Sequence, residues 1–176
     1  MRKFGIIAVL SLLLVAVTAA VAQAAIVRSV DFTNAPTGTH FQVGTATCTV
    51  SGTTVTCPSY ELAGVGNADA EATLTANYTA TVDCRNNGGK IVPVKATVQG
   101  AEASTGQIEP KNGRLLVPAL STADVDQPTA EDFEALATCP NGNWTKETQT
   151  STIALSGFTY ELTFEGFTEP YILITG

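Results

Sequence analysis

From Ala70 to Cys84 every even position is apolar (Ala70, Ala72, Leu74, Ala76, Tyr78, Ala80, Val82, Cys84), while every odd position from Asp69 to Arg85 is polar. A strict period of two is the pattern of a β-strand with one buried and one wet face. At full length such a strand runs roughly 50 Å, longer than usual, so a bulge or bend is expected near Ala76-Asn77. Half of the inward residues are alanine, which asks the opposing layer to approach closely.

The cysteines add a second constraint. Four of them allow three pairings, and one is favoured by turn geometry. In Cys48-Thr49-Val50-Ser51-Gly52-Thr53-Thr54-Val55-Thr56-Cys57, Gly52-Thr53 suits a two-residue type II′ turn, which needs positive φ at its first central residue. Ser51 then faces Thr54, Val50 faces Val55, Thr49 faces Thr56, and Cys48 meets Cys57 at a non-hydrogen-bonded pair within disulfide reach. By elimination Cys84 joins Cys139. Neither C-x-x-C spacing nor a neighbouring histidine suggests redox or zinc chemistry, so all four cysteines are expected to be structural.

The rest of the chain is also strand-like. Val92, Val94, Ala96 and Val98 repeat the even parity, and pairing even with even requires an odd loop. A three-residue connection at Asn87-Gly88-Gly89 with a left-handed glycine is expected. Pro93 confines that second strand to an edge or a bulge. Further strands are expected at Ile26 to Phe32, from Phe41 into the stapled hairpin, at Leu115 to Leu120, across Phe158, Tyr160, Leu162 and Phe164, and at Tyr171 to Thr175. Turns are expected at Asn34 to Gly38 and at Lys111-Asn112-Gly113. Between Ser121 and Cys139 the pattern changes. Thr129 as N-cap, Glu131 and Asp132 in the first turn, and Phe133, Leu136 and Ala137 on one face predict a helix of about two turns. The expected fold is an all-β, immunoglobulin-like antiparallel β-sandwich of eight or nine strands with one short helix and two disulfides.

Arg2 and Lys3 precede an apolar run from Phe4 to Ala22 that ends in Ala22-Gln23-Ala24, the form of a secretory signal peptide cut before Ala25. Residues 1–24 are thus expected to be leader and residues 25–176 a single secreted β-sandwich domain. Two of the nine basic residues lie in that leader, leaving seven against sixteen acidic ones and a formal charge of −9. Such acidity disfavours phosphate backbones, so no nucleic-acid partner is expected. No later apolar run is long enough to span a bilayer, and no membrane association is expected after cleavage.

The order of Cys48…Cys57, Leu62-Ala63-Gly64-Val65-Gly66-Asn67, Cys84-Arg85-Asn86-Asn87-Gly88-Gly89, Lys111-Asn112-Gly113-Arg114 and Cys139-Pro140-Asn141-Gly142-Asn143-Trp144 resembles a group of uncharacterised small secreted bacterial proteins. The resemblance covers nearly the whole mature chain and implies a bacterial extracellular setting. It implies no activity, substrate or binding residue.

Chemistry-bearing residues are few. His40 is the single histidine, and with no G-x-S-x-G elbow for a Ser-His-Asp apparatus it reads as an ordinary surface or strand residue. Asp124, Asp126, Glu131 and Asp132 supply oxygen ligands of the kind Ca²⁺ prefers, but they match no EF-hand spacing and also suit a helix N-terminus. Asn67, Asp69 and Glu71 after the glycine loop make a weaker cluster. Trp144, the one tryptophan, is expected to pack against the Cys84–Cys139 bridge rather than serve as a sugar platform. Asn77-Tyr78-Thr79 and Asn143-Trp144-Thr145 fit the glycosylation sequon, with no modification expected in a bacterial setting. Thr73, Thr75, Thr79 and Thr81 resemble the hydroxyl arrays that bind ice or crystalline polymers. Asp69, Glu71, Asn77 and Asp83 interrupt them, and threonine is in any case a good strand former.

No catalytic, cofactor-binding or metal-binding residue is therefore expected, and no cofactor. The chain reads as a non-enzymatic structural or interaction module of the cell surface or medium, its partner a protein or cell-envelope polymer. The alternatives are a carbohydrate or Ca²⁺ module, a protease inhibitor presenting Gly64 to Asn67 or Asn141 to Trp144, and a small hydrolase using two carboxylates.

Overall fold

The computed structural model describes residues 26–176, so the expected leader and its cleavage point lie outside the described residues. In chain order the strands are β1 (Val27–Val30), β2 (His40–Val43), β3 (Thr49–Ser51), β4 (Thr54–Cys57), β5 (Tyr60–Ala63), β6 (Ala70–Arg85), β7 (Ile91–Ile108), β8 (Arg114–Val117), β9 (Leu120–Ser121), β10 (Thr145–Phe164) and β11 (Ile172–Thr175). The helix, α1, spans Ala130–Leu136. All strand pairs are antiparallel. One layer is a five-stranded sheet in the order β1-β11-β10-β6-β7; the other comprises β2-β5-β8 and β3-β4-β9.

The alternation of β6 sets the inside and outside of the molecule. Every even residue from Ala70 to Cys84 is buried, and Ala72, Leu74, Ala76 and Val82 are wholly so. Onto that face pack the two small sheets and α1, joined with it in one continuous apolar cluster.

The second layer is divided into two small sheets for a local reason. Cys57 pairs with Leu120, and Tyr60 with Val117, in one unbroken register. Between those pairs stand Pro58 and Pro118, which cannot donate ladder hydrogen bonds. The two prolines split what would be a single pair of strands into β4 with β5 and β8 with β9. Among the described residues there are therefore eleven strands where eight or nine were expected.

The stapled hairpin has the expected register, Thr49 opposite Thr56, Val50 opposite Val55 and Ser51 opposite Thr54. Gly52 has φ 60°, as the first central residue of a type II′ turn requires. Cys48 is bonded to Cys57, with Cα atoms 4.2 Å apart, and Cys84 to Cys139. The β6 to β7 connection also follows parity: Cys84 faces Val92, Val82 faces Val94 and Ala80 faces Ala96. The Gly89 N–H donates to the Asn86 carbonyl at 2.9 Å, and Gly89 itself is left-handed with φ 80°. Pro93 lies on β7, an edge strand.

The irregularity expected near Ala76-Asn77 is present, but the extra residues belong to the neighbouring strands. Gly100 and Ala101 of β7 together oppose Ala76, and Ser156 of β10 is the surplus residue between Leu155 opposite Tyr78 and Gly157 opposite Asn77. In β7 the bulge reverses parity: Ala96 and Val98 are buried before it, Ala101 and Ala103 after it. Two further irregularities are satisfied by threonine hydroxyls. The Ala72 N–H donates to Thr105 Oγ1 at 3.0 Å and the Thr81 N–H to Thr152 Oγ1 at 2.8 Å, replacing ladder carbonyls.

Thr129 caps α1 in a capping box. Its N–H and hydroxyl donate to Asp132 Oδ2 at 2.8 and 2.9 Å, and its hydroxyl accepts from the Asp132 N–H. Phe133 and Ala137 are buried as expected, but Leu136 is 59 % exposed. A seven-residue helix turns only one narrow stripe inward, and the i, i+4 pair Phe133 and Ala137 fills it.

Candidate functional site

The two small sheets and α1 cover the even face of the large sheet, and its odd face is turned outward. At the middle of that outer face the ladder sets Thr159 and Glu102 on either side of Thr75, Glu161 and Ser104 beside Thr73, and Gly157 and Gln99 beside Asn77. Thr73, Thr75, Asn77, Gln99, Thr159 and Glu161 line a shallow open depression of about 270 Å³. Four hydroxyl or carboxylate groups and two amides are thus held on a rigid sheet by backbone pairing alone.

Acidic residues that interrupt the threonine pattern in sequence are engaged around this depression. Gln107 Nε2 donates to Asp69 Oδ2 at 2.8 Å, the Ser104 hydroxyl to Glu71 Oε1 at 2.5 Å, and Gln149 Nε2 to Asp83 Oδ1 at 2.9 Å. By contrast, among the described residues none of the six side chains lining the depression takes part in a hydrogen bond with the protein. Their donors and acceptors are left to solvent. The sequence shows the threonines of β6. The hairpin register that pairs Cys84 with Val92 also sets Gln99 beside Asn77, whereas Thr159 and Glu161 come from β10, which is not joined to β6 by a turn that would fix their pairing in the sequence.

The remaining sequence candidates are dispersed. His40 is exposed on β2, with Nδ1 2.8 Å from the Gly38 carbonyl. Asp124 and Asp126 flank the Gly100-Ala101 bulge beside Glu102, in a depression separate from Glu131 and Asp132. The Asp132 carboxyl is held below its usual value by the hydrogen bonds from Thr129, as Asp31 is by those from Thr33. Among the described residues no group of three or more His, Cys, Asp or Glu is placed to hold a metal ion, so the acidic stretch does not assemble the Ca²⁺ site considered from sequence. Asp69 and Glu71 are spent on Gln107 and Ser104, and Asn67 is exposed in its loop.

The two loops considered for protease inhibition differ. Gly64 has φ 75°, and any Cβ there would collide with the Gly38 carbonyl, while Val65 is fully buried and its N–H donates to the Gly113 carbonyl at 3.3 Å. Gly64 is thus held against Gly38 and Val65 is anchored in the core, while Gly66 and Asn67 are exposed. The Asn141 to Trp144 loop is exposed apart from Trp144, which is half-buried next to the start of β10. Asn77 lies half-buried on the outer face and Asn143 is exposed.

Between the layers lies a tyrosine cluster. The hydroxyls of Tyr60 and Tyr160 are hydrogen-bonded at 2.8 Å, and Tyr78 donates to the Thr53 carbonyl at 3.2 Å. Burial raises the Tyr160 hydroxyl to about 12 and pushes those of Tyr60 and Tyr171 upward as well. Phenols so held are neutral structural groups at ordinary pH. No family model, curated protein or solved structure matches the chain. Two disulfides accord with an oxidising environment, and no helix among the described residues is long and apolar enough to cross a membrane.

Proposed function

We propose that this is a secreted, non-enzymatic interaction module of a bacterial cell surface, which binds a polyhydroxylated envelope polymer through the outer face of its five-stranded sheet. One observation carries the reading: Thr73, Thr75, Asn77, Gln99, Thr159 and Glu161 line one depression, with no side-chain hydrogen bonds to the rest of the described residues. Hydroxyl, amide and carboxylate groups on a rigid surface match the alternating donors and acceptors of a glycan chain, and each matched hydrogen bond contributes about 0.5–1.5 kcal/mol. A face without an aromatic platform binds each glycan unit weakly. The expected leader and the two disulfides support export, and the resemblance to small secreted bacterial proteins supports the bacterial setting.

The test is co-sedimentation of the purified, oxidised protein with insoluble cell-envelope polysaccharide. The native chain is expected in the pellet, and a Thr75→Val, Gln99→Ala, Thr159→Val variant in the supernatant. Equal retention of both proteins, or of neither, contradicts the assignment.

A further inference from the structure

Three motifs of this chain, Asn86-Asn87-Gly88-Gly89, Lys111-Asn112-Gly113-Arg114 and Pro140-Asn141-Gly142-Asn143, each contain Asn-Gly, and the fold treats the three dipeptides differently. We infer that Asn141 is a site of spontaneous, self-catalysed deamidation, and that the folded chain directs the reaction to it over Asn87 and Asn112. In this chemistry the backbone nitrogen of the following glycine, losing its proton, bonds to the asparagine Cγ. The Cγ–Nδ2 bond breaks and ammonia leaves, giving a succinimide. Water then opens the ring on either side to aspartate or isoaspartate. Glycine favours the reaction because no Cβ crowds the attacking nitrogen.

At Asn141 the protein helps. The Asn143 N–H donates to Asn141 Oδ1 at 3.1 Å, which polarises the Cγ carbonyl and places a donor where negative charge develops during attack. Asn141, Gly142 and Asn143 are all exposed, so solvent can take the proton and supply water. The loop lies outside every strand ladder, so the backbone of Asn141 can turn toward attack without breaking one.

At Asn112 the protein hinders. Asn112 has φ 53° and Gly113 φ 74°, and reciprocal hydrogen bonds close the turn, Lys111 N–H to the Arg114 carbonyl at 2.7 Å and Arg114 N–H to the Lys111 carbonyl at 3.1 Å. Both residues are fixed in the left-handed region, and reaching the attack geometry means opening that turn. Asn87 is intermediate. It is exposed, but it sits inside the turn closed by the Gly89 N–H to Asn86 carbonyl bond, and the Lys90 N–H donates to Asn86 Oδ1 at 2.8 Å, not to Asn87.

The experiment is incubation of the oxidised, folded protein at mildly alkaline pH, with aspartate and isoaspartate at each site followed by peptide mapping and mass spectrometry. Asn141 is expected to convert roughly tenfold faster than Asn112, the rate equivalent of about 1.4 kcal/mol in barrier height, with Asn87 between them. In denaturant, with the disulfides intact, the three rates are expected to converge. The variant Gly142→Ala isolates the chemistry, because a Cβ there meets no atom within 4 Å and the fold is undisturbed. It should slow conversion at Asn141 and leave Asn87 unchanged. Equal rates in the folded protein, or faster conversion at Asn112 than at Asn141, would overturn the inference, as would unaltered conversion of Asn141 in the alanine variant.

Discussion

The hydroxyls of Tyr60 and Tyr160 meet at 2.8 Å in the buried space between the layers, one from β5 and one from β10. Both rings are almost wholly enclosed, so each hydroxyl is the other's compensation for lost water. Tyr160→Phe leaves the Tyr60 hydroxyl buried without that partner and is expected to destabilise by about 1–3 kcal/mol. Removing both hydroxyls in the Tyr60→Phe, Tyr160→Phe protein should cost less than the sum of the single changes. Tyr171→Phe is the contrast, because the Tyr171 hydroxyl is buried with no hydrogen-bond partner among the described residues, and its loss should leave stability unchanged or raised. Denaturant titration of the native chain, the two single variants, the double variant and Tyr171→Phe reads each value.

The same cluster sets an alkaline limit. In the unfolded chain these tyrosines ionise near 10.0, whereas in the folded protein Tyr160 is raised to about 12, with Tyr60 and Tyr171 also displaced upward, chiefly by burial. Between those values the folded chain retains protons that the unfolded chain releases, so stability falls as pH rises. The contribution is complete below pH 10 and is lost on passing through the folded values. In NMR spectra that resolve the tyrosine rings, with circular dichroism followed in parallel, Tyr60, Tyr160 and Tyr171 should ionise only as the fold is lost. Ionisation of these three near pH 10 with the fold intact would show their phenols to be accessible.

At the bulge that reverses the parity of β7, Gly100 leaves room for the Tyr78 ring, and a Cβ there would collide with Cδ2 and Cε2 of that ring. Gly100→Ala is expected to cost about 1–3 kcal/mol as overpacking. Combined with Tyr78→Leu, which withdraws the ring, the alanine should cost measurably less. A coupling energy of about 0.5–3 kcal/mol from the double-mutant cycle is the expected readout.

The disulfides close loops of different length, with sequence separations of 9 and 55. Loop entropy assigns about 2.7 kcal/mol to Cys48–Cys57 and about 4.2 kcal/mol to Cys84–Cys139. Replacing Cys84 and Cys139 together by serine should lower the thermal midpoint more than replacing Cys48 and Cys57 together.

Much of this architecture is legible in residue parity. The period of two in β6 fixes its buried face, the Gly52-Thr53 turn fixes the hairpin register, and the register carries the cysteine pairing. Where parity breaks, the sequence becomes opaque. In β7 the Gly100-Ala101 bulge moves burial from even to odd residues, so a simple alternation rule loses the strand beyond Val98. In β10 four residues between Gln149 and Ala154 stand opposite Ala80 alone, which hides the first half of a 20-residue strand. The outer depression is hidden for a different reason. Gln99 stands opposite Asn77 in the same unbroken hairpin register that pairs Cys84 with Val92, but β10 reaches β6 through a long connection that fixes no register, so nothing in the sequence sets Thr159 beside Thr75.

The binding surface itself is tested most directly by residue-resolved NMR titration of the folded protein with soluble fragments of envelope polysaccharide. The account predicts shifts clustered at Thr73, Thr75, Asn77, Gln99, Thr159 and Glu161. Shifts confined to the Asn141 to Trp144 loop or to the Gly64 to Asn67 loop, with the outer face silent, would contradict it.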